Sequence, residues 1–111
     1  QEQRQWQQAE DYYKQALNLK IEFNDRYSQA GTYGQLGLLA ENQEQWQQAG
    51  EYLLKALEIS VEYKDQHRIG ITLRSLSRLW QSGNTPGLAA AVAGVLGVSN
   101  AEAEKMLGEN V

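Results

Sequence analysis

Gln5-Trp6-Gln7-Gln8-Ala9 recurs 40 residues later as Gln45-Trp46-Gln47-Gln48-Ala49. At the same offset, identical residues continue in phase as far as Leu39 and Leu79. A repeated pentapeptide followed by in-phase identities is not expected by chance, and such self-similarity is typical of repeat architectures. The sequence therefore predicts a fold built from duplicated units.

Apolar side chains within each copy recur at steps of three and four residues, which places them on one face of a helix. The sequence predicts that Asp25 and Asp65 accept hydrogen bonds from the first free amides of the helices that follow them. Each unit is therefore predicted to be a pair of antiparallel helices in an all-α fold. The predicted helices span residues 2–23, 26–42, 46–63, 66–82, 86–96 and 100–108.

Small and large side chains alternate along the predicted helices. A small side chain lets a neighbouring helix approach closely, and large ones such as Trp46 and Leu53 fill the space beside it. This alternation predicts closely packed helical hairpins. The small positions are Gly37, Ala40, Ala49 and Ala56.

The composition limits what the chain can do. Its 111 residues suit one compact unit, and its net charge of −4 argues against a nucleic-acid partner, which needs a basic surface. It contains no cysteine for disulfides or thiolate metal sites, and the apolar stretch 88–98 is too short to cross a membrane. We therefore predict a cytoplasmic protein. Because the chain opens at Gln1 rather than Met, we expect it to be a fragment of a longer protein or a processed chain.

One stretch of the chain resembles a complete tetratricopeptide repeat: Tyr33-x-x-Leu36-Gly37-x-x-Ala40, then Trp46-x-x-Ala49, then Leu53-x-x-Ala56-Leu57. Ala40 stands where that family commonly has an aromatic residue, and Val61 stands where proline often closes the motif. The 40-residue period is similar to that of the long-helix variety in arrays attached to bacterial signalling NTPases and caspase-like proteins. The resemblance implies a right-handed solenoid of stacked antiparallel hairpins with a C-terminal helical cap.

The resemblance also implies a division of the single unit 1–111 as the C-terminal end of an array. Residues 3–23 would form a half-repeat, 27–63 a full repeat, 67–96 a degenerate repeat and 97–111 a C-terminal cap. A solenoid needs such a cap, because its last repeat otherwise leaves an apolar face in water. We predict that Ser99 begins the last helix and that the preceding hairpin is covered by Leu88, Val92, Val95, Leu96, Val98, Met106 and Leu107.

The N-terminal half-repeat has no partner helix in this division. Part of the face that carries Trp6, Tyr13 and Leu17 is therefore expected to be exposed. This face would either meet another chain, with self-association as one prediction, or mark the point where the chain was cut from a longer protein.

In tetratricopeptide repeats the first helices line a concave groove for a protein or peptide partner. The resemblance places in that groove Gln35, Leu38, Glu41, Asn42, Ile71, Arg74, Arg78 and Gln81, together with Gly31, Gly34 and Ser75. Arg74 and Arg78 are four residues apart and share a helix face, so their guanidinium groups could bind a carboxylate or an acidic peptide. The alternative is that they are solubilising charges or pair with Glu41 or Glu44.

The sequence gives little support for catalysis, metal binding, phosphate binding or DNA binding. The single histidine, His67, stands beside Asp65 near a predicted helix start, which is more typical of a solvated side chain than of a catalytic base. No metal-ligand spacing and no phosphate-binding loop is present, so neither an enzyme nor a cofactor is predicted. Residues 91–107 have the outline of a helix-turn-helix, but the second helix is acidic, which disfavours DNA binding.

The leading hypothesis is therefore an interaction scaffold, the terminal segment of a repeat array that displays a groove. Two alternatives remain open. The chain could be a purely structural capping segment, or a sensor or regulatory tail of a multidomain signalling NTPase or protease.

Overall fold

The computed structural model describes residues 2–109 and forms six α-helices in that range, with no strand. The predicted all-α fold is confirmed, and the predicted helix ends agree to within two residues. Gln1, Asn110 and Val111, which end the predicted unit and its cap, lie outside the described residues. The helices are α1 Glu2–Glu22, α2 Arg26–Asn42, α3 Trp46–Glu62, α4 Gln66–Gln81, α5 Leu88–Leu96 and α6 Asn100–Glu109.

The first three interhelical connections are the same turn. Asn24, Glu44 and Lys64 have φ values of 57°, 60° and 54°, so each lies in the left-handed region. In each turn the amide of the next residue donates to the carbonyl five positions back, at 2.7 Å, 2.9 Å and 3.0 Å in chain order. This is the Schellman arrangement, which ends a helix sharply. The turn recurs every 20 residues and joins α1 to α2, α2 to α3 and α3 to α4.

Side-chain caps begin three of the helices. The Asp25 carboxylate accepts a hydrogen bond from the Ser28 amide at 3.2 Å, and Asp65 accepts one from the Arg68 amide at 3.1 Å. The Ser99 hydroxyl accepts one from the Glu102 amide at 3.1 Å. The caps that the sequence predicts at Asp25, Asp65 and Ser99 are therefore present.

The predicted start of the fifth helix is wrong by two residues. The sequence places it at residue 86, whereas α5 begins at Leu88. Gly87 has a φ of 84°, a left-handed conformation that cannot continue as a right-handed helix. Pro86 consequently belongs to the turn.

The α2–α3 hairpin interlocks small and large side chains. A Cβ added to Gly37 would lie 2.8 Å from both Cγ and Cδ2 of Leu53, so α3 packs directly against the α2 backbone. The rings of Tyr33 and Tyr52 lie beside this contact, 6.3 Å apart, and Trp46 packs partly buried against the core. The predicted packing residues that are at most 3% exposed are Leu36, Ala40, Ala49, Leu53 and Ala56.

The last two helices close the C-terminal end. α5 packs against α3, and α6 packs against both α4 and α5. The Ser77 hydroxyl and the Gln81 side-chain amide both donate to the Leu107 carbonyl, the latter at 3.0 Å, which fixes α6 to α4. Of the predicted cap residues, Leu88, Val92 and Leu107 are buried, and Val95, Leu96, Val98 and Met106 are partly buried against the same core.

The N-terminal helix is the least covered. α1 packs against α2 and has no fully buried residue. Trp6, Tyr13 and Leu17, on the face that the sequence expects to be partly exposed, are half-buried. Tyr12 of α1 and Phe23, the residue that follows α1, are more exposed, at 67% and 75%.

Candidate functional site

Helices α2 and α4 lie side by side and run in the same direction. At their first turns, the Tyr27 hydroxyl donates to Oδ2 of Asp65 at 2.5 Å. Near their last turns, Nε and Nη2 of Arg78 donate to the Glu41 carboxylate at 2.9 Å and 2.7 Å. Contacts at both ends fix the register of the two helices. We call the outward side of this pair the α2–α4 surface.

Most of the predicted groove residues lie on these two helices with exposed side chains. Leu38 and Glu41 are half-buried, as are Gly31 and Gly34. A Cβ added to Gly34 would meet nothing within 4 Å, so the surface is open there. The exposed predicted residues are Gln35, Asn42, Ile71, Arg74, Arg78 and Gln81.

Three of the predicted groove residues make hydrogen bonds within the protein. Arg78 binds Glu41 through two hydrogen bonds, and the Glu41 side chain is only 15% exposed. The hydrogen bond to Glu41 raises the pKa of the Arg78 guanidinium. Gln81 donates to Ser77 Oγ at 3.1 Å as well as to Leu107, so it holds α6. The alternative of pairing with Glu41 is therefore observed for Arg78.

Arg74 differs from Arg78, one turn away. Its side chain is exposed, and within residues 2–109 it takes part in no ion pair shorter than 4.0 Å. Exposed Ile71 lies on the adjoining turn of the same helix. Together they present a cation beside an apolar side chain in the middle of the α2–α4 surface.

Arg68 is a surface residue that the sequence does not single out for the groove. Its guanidinium lies against Gly31, because a Cβ added to Gly31 would be 3.5 Å from Nη1 of Arg68. The guanidinium carbon of Arg68 lies 5.9 Å from the centre of the Tyr27 ring. Its Nε is buried without a hydrogen-bond partner among the described residues. Sequence spacing could have identified Arg68, because residues 68, 71, 75 and 78 follow one another at steps of three and four along one side of α4.

The first turn of α4 has a perturbed carboxylate. Hydrogen bonds from the Tyr27 hydroxyl and then from the Arg68 amide lower the pKa of Asp65 below its ordinary value of 3.8. A carboxyl group whose pKa is lower in the folded state stabilises the fold above its unfolded pKa. That stabilisation is lost as the pH falls through the lower, folded-state pKa.

We expect an NMR titration of the Asp65 side-chain carboxyl carbon to give a pKa below 3.8, which rises in a Tyr27→Phe variant because the largest cause of the shift is removed. Tyr63→Phe is the matched control, since the Tyr63 ring packs on Tyr27 at 5.2 Å and the bond to Asp65 is untouched. An unchanged pKa in Tyr27→Phe would contradict the assignment.

The single histidine, His67, lies in the first turn of α4. Asp65, which the sequence places beside His67, accepts a hydrogen bond from the Arg68 amide and so caps α4, and His67 is exposed. Within residues 2–109 no three acidic or histidine side chains come together in a way that could hold a metal ion. None of the helices in that range is both long and apolar enough to span a membrane.

Comparison with known proteins identifies the architecture. The sequence pattern of the tetratricopeptide repeat matches residues 1–27 and 32–66, which together make up more than half of the chain. The chain matches no curated protein and no solved structure. The matched segments cover α1 and most of the α2–α3 hairpin, where the duplicated sequence and the interlocked packing lie. The chain therefore belongs to the tetratricopeptide repeat family.

Proposed function

We propose that the chain is an interaction scaffold that holds a peptide segment of a protein partner on the α2–α4 surface. Tetratricopeptide repeats generally mediate protein–protein interactions, and the family is not catalytic. The observation that carries the finer proposal is the pairing of α2 with α4 through contacts at both ends. A pair of helices held in fixed register can display side chains to a ligand without first having to become ordered.

The chemistry of the surface favours a partner with an acidic group beside an apolar one. Arg74 offers a guanidinium that no carboxylate of the described residues neutralises, and Ile71 offers apolar area that is 46% exposed. Arginine binds carboxylates through paired hydrogen bonds, which gives both attraction and orientation. Arg78 can contribute only if the partner competes with Glu41, because its donors are already occupied.

The test is selection of peptides from a displayed library, followed by affinity measurement on one selected sequence. We expect Arg74→Ala to weaken that peptide by about tenfold, because a charged hydrogen bond is lost. Lys55→Ala is the matched control, since Lys55 is an exposed cation on α3 rather than on the α2–α4 surface. Unchanged affinity for the selected peptide in an Arg74→Ala/Arg78→Ala double variant would contradict the proposed site.

A structural capping role is the second proposal, and the placement of α6 supports it. Ala103 and Leu107 of α6 are fully buried, and α6 is bonded to α4 through the Leu107 carbonyl. The outward residues of α6 include Glu102, Glu104 and Lys105, all exposed. A helix that is apolar inside and charged outside is suited to ending a solenoid.

A further inference from the structure

A surface groove separates the first half of α3 from the connection between α4 and α5. Its volume is about 410 Å³, which lies within the range of ordinary ligand sites. On the α3 side it is lined by Trp46, Gly50 and Leu54, which follow one another at steps of four residues, with Glu51 beside them. Residues 84–88 line the opposite side. We call this space the α3–α5 groove.

The α3–α5 groove lies where the chain departs from its own repeat. Residues 82–87 connect α4 to α5, whereas each of the three recurring turns has only three residues between its helices. At the 40-residue offset, Pro86 takes the place of Trp46, and Gly50 takes the place of Glu10. Smaller side chains therefore line the later copy. Among the described residues, none from α1 or α6 contributes to the lining, so the groove is formed by the interior of the chain.

The carboxylate in this groove has no cation of the chain beside it. Glu51 is exposed, and among the described residues no lysine or arginine nitrogen lies within 4.0 Å of it or lines the groove. In the preceding copy, Lys14 binds Glu10 at 2.7 Å. That hydrogen bond and, to a smaller degree, the charge of Asp11 raise the pKa of Lys14. Glu51 is the counterpart of Asp11 and Leu54 that of Lys14, so the later copy keeps the carboxylate and lacks the cation.

We propose that the α3–α5 groove binds an arginine side chain of a partner protein. A guanidinium group stacks favourably on an indole ring, which Trp46 supplies, and it donates two parallel hydrogen bonds to a carboxylate, which Glu51 supplies. The aliphatic carbons of the arginine would lie against Leu54 and Pro86. The opposite charges of the guanidinium and Glu51 also favour the encounter.

The rim of the groove favours a protein as the source of this arginine. Gln47, Asn84, Gly87 and Ala91 line the groove with exposed surface, so a small compound bound there would remain largely in contact with water. A partner protein covers the rim as well as the groove, because protein interfaces extend well beyond one anchoring side chain. The groove shares no residue with the α2–α4 surface, so failure of one proposal leaves the other intact.

The probe is a seven-residue peptide, selected on the chain from a displayed library in which arginine is fixed at the central position. The selected peptide is titrated into the chain labelled with nitrogen-15, and its affinity and the backbone amide shifts are measured. We expect saturable shifts concentrated in residues 46–54 and 84–91. The same peptide with citrulline, the neutral isostere of arginine, should bind about tenfold less tightly, because the charged hydrogen bonds are lost. Arginine amide alone should also bind about tenfold less tightly, since it does not reach the rim.

Variants of the chain locate the binding site. Glu51→Gln should weaken the selected peptide by about tenfold. Glu58→Gln is the matched control, because it makes the same change in charge two turns further along α3, where Glu58 lies outside the groove and 3.9 Å from Arg26. Leu54→Lys supplies the cation of the preceding copy and should prevent binding by pairing with Glu51. Leu54→Met, which keeps an apolar side chain there, should leave the affinity nearly unchanged.

Several outcomes would overturn the proposal. They are the absence of saturable shifts in the groove, equal affinity for the arginine and citrulline peptides, and equal weakening by Glu51→Gln and Glu58→Gln. Equally tight binding of arginine amide would assign the groove to a small guanidinium compound instead. The titration is repeated on the product of the complete gene, where we expect the same affinity. Loss of peptide binding there, with residues 46–54 and 84–91 already shifted before the peptide is added, would assign the groove to a segment of the same protein.

Discussion

A Gly37→Val variant is expected to lose about 3 kcal/mol of its free energy of unfolding, because overpacking a filled core forces side chains and backbone apart. An added Cβ at Gly37 would lie 2.8 Å from two carbon atoms of Leu53, and the Ala49 carbonyl oxygen lies 3.5 Å away on the same side. Leu53 is itself only 2% exposed and has no room to retreat. Urea denaturation followed by circular dichroism measures the loss.

Gly34→Val is the matched control, three residues earlier in the same helix. An added Cβ there would meet nothing within 4 Å, so we expect a change of less than about 0.5 kcal/mol. The double variant Gly37→Val/Leu53→Ala should be less destabilised than the sum of its single variants, since removing the leucine makes space for the valine. Equal losses at Gly34 and Gly37 would contradict the assignment of the effect to the contact with Leu53.

Leu107→Ala is expected to destabilise the chain by about 3 kcal/mol, the cost of truncating a large side chain in a closed core. Leu107 is 0% exposed, and its carbonyl accepts hydrogen bonds from Ser77 and Gln81 of α4. A loss of this size is a large share of the roughly 5–15 kcal/mol that stabilises a typical domain. Thermal and urea unfolding of the variant measure it.

Lys105→Ala separates core packing from a general weakness of α6. Lys105 is exposed on the same helix, and its replacement should change stability by less than about 0.5 kcal/mol. If Leu107→Ala behaved like Lys105→Ala, α6 would unfold independently of the other helices. The proposed capping role would then fail, because a cap must unfold together with the repeats it covers.

Local features of this fold could be predicted from the sequence because short-range forces determine them. Helical periodicity, the caps at Asp25 and Asp65, and the interruptions near residues 24 and 64 depend on neighbours within a few residues. The 40-residue internal repeat then predicts the architecture from these local features, because equivalent sequences fold into equivalent hairpins. The sequence prediction starts α5 at Pro86 because proline is well tolerated in a first helical turn. The left-handed conformation of Gly87 prevents the helix from starting before Leu88.

The candidate site was less predictable because partners across helices decide it. Sequence spacing places Arg74 and Arg78 on one side of α4, but only the packing of α2 against α4 brings Glu41 within 2.7 Å of Arg78 and leaves Arg74 unpaired among the described residues. The position of Arg68 over Gly31 and Tyr27 likewise depends on contacts between residues about 40 positions apart. Helical periodicity alone gives the side of a helix on which a side chain lies, but not the residues of neighbouring helices that it contacts.

The exposed flank of α1 illustrates the same limit. The sequence predicts that part of the face with Trp6, Tyr13 and Leu17 is exposed, and it does not single out Tyr12. In the structure Tyr13 and Leu17 are half-buried, whereas Tyr12 is 67% exposed. Which of two adjacent apolar flanks is covered depends on the side from which the next helix approaches.

The turn that recurs at Asn24, Glu44 and Lys64 has a consequence for how such a chain can change in length. Residues 25–64 begin and end at equivalent points of that turn, so a tandem copy of this segment joined after Lys64 would restore every helix-to-helix junction. A copy of only one helix and its turn would reverse the direction of all later helices and present α4 to the wrong neighbour. Gene duplication in units of 40 residues can therefore lengthen the array, whereas duplication in units of 20 residues would break it, even though the turn itself repeats every 20.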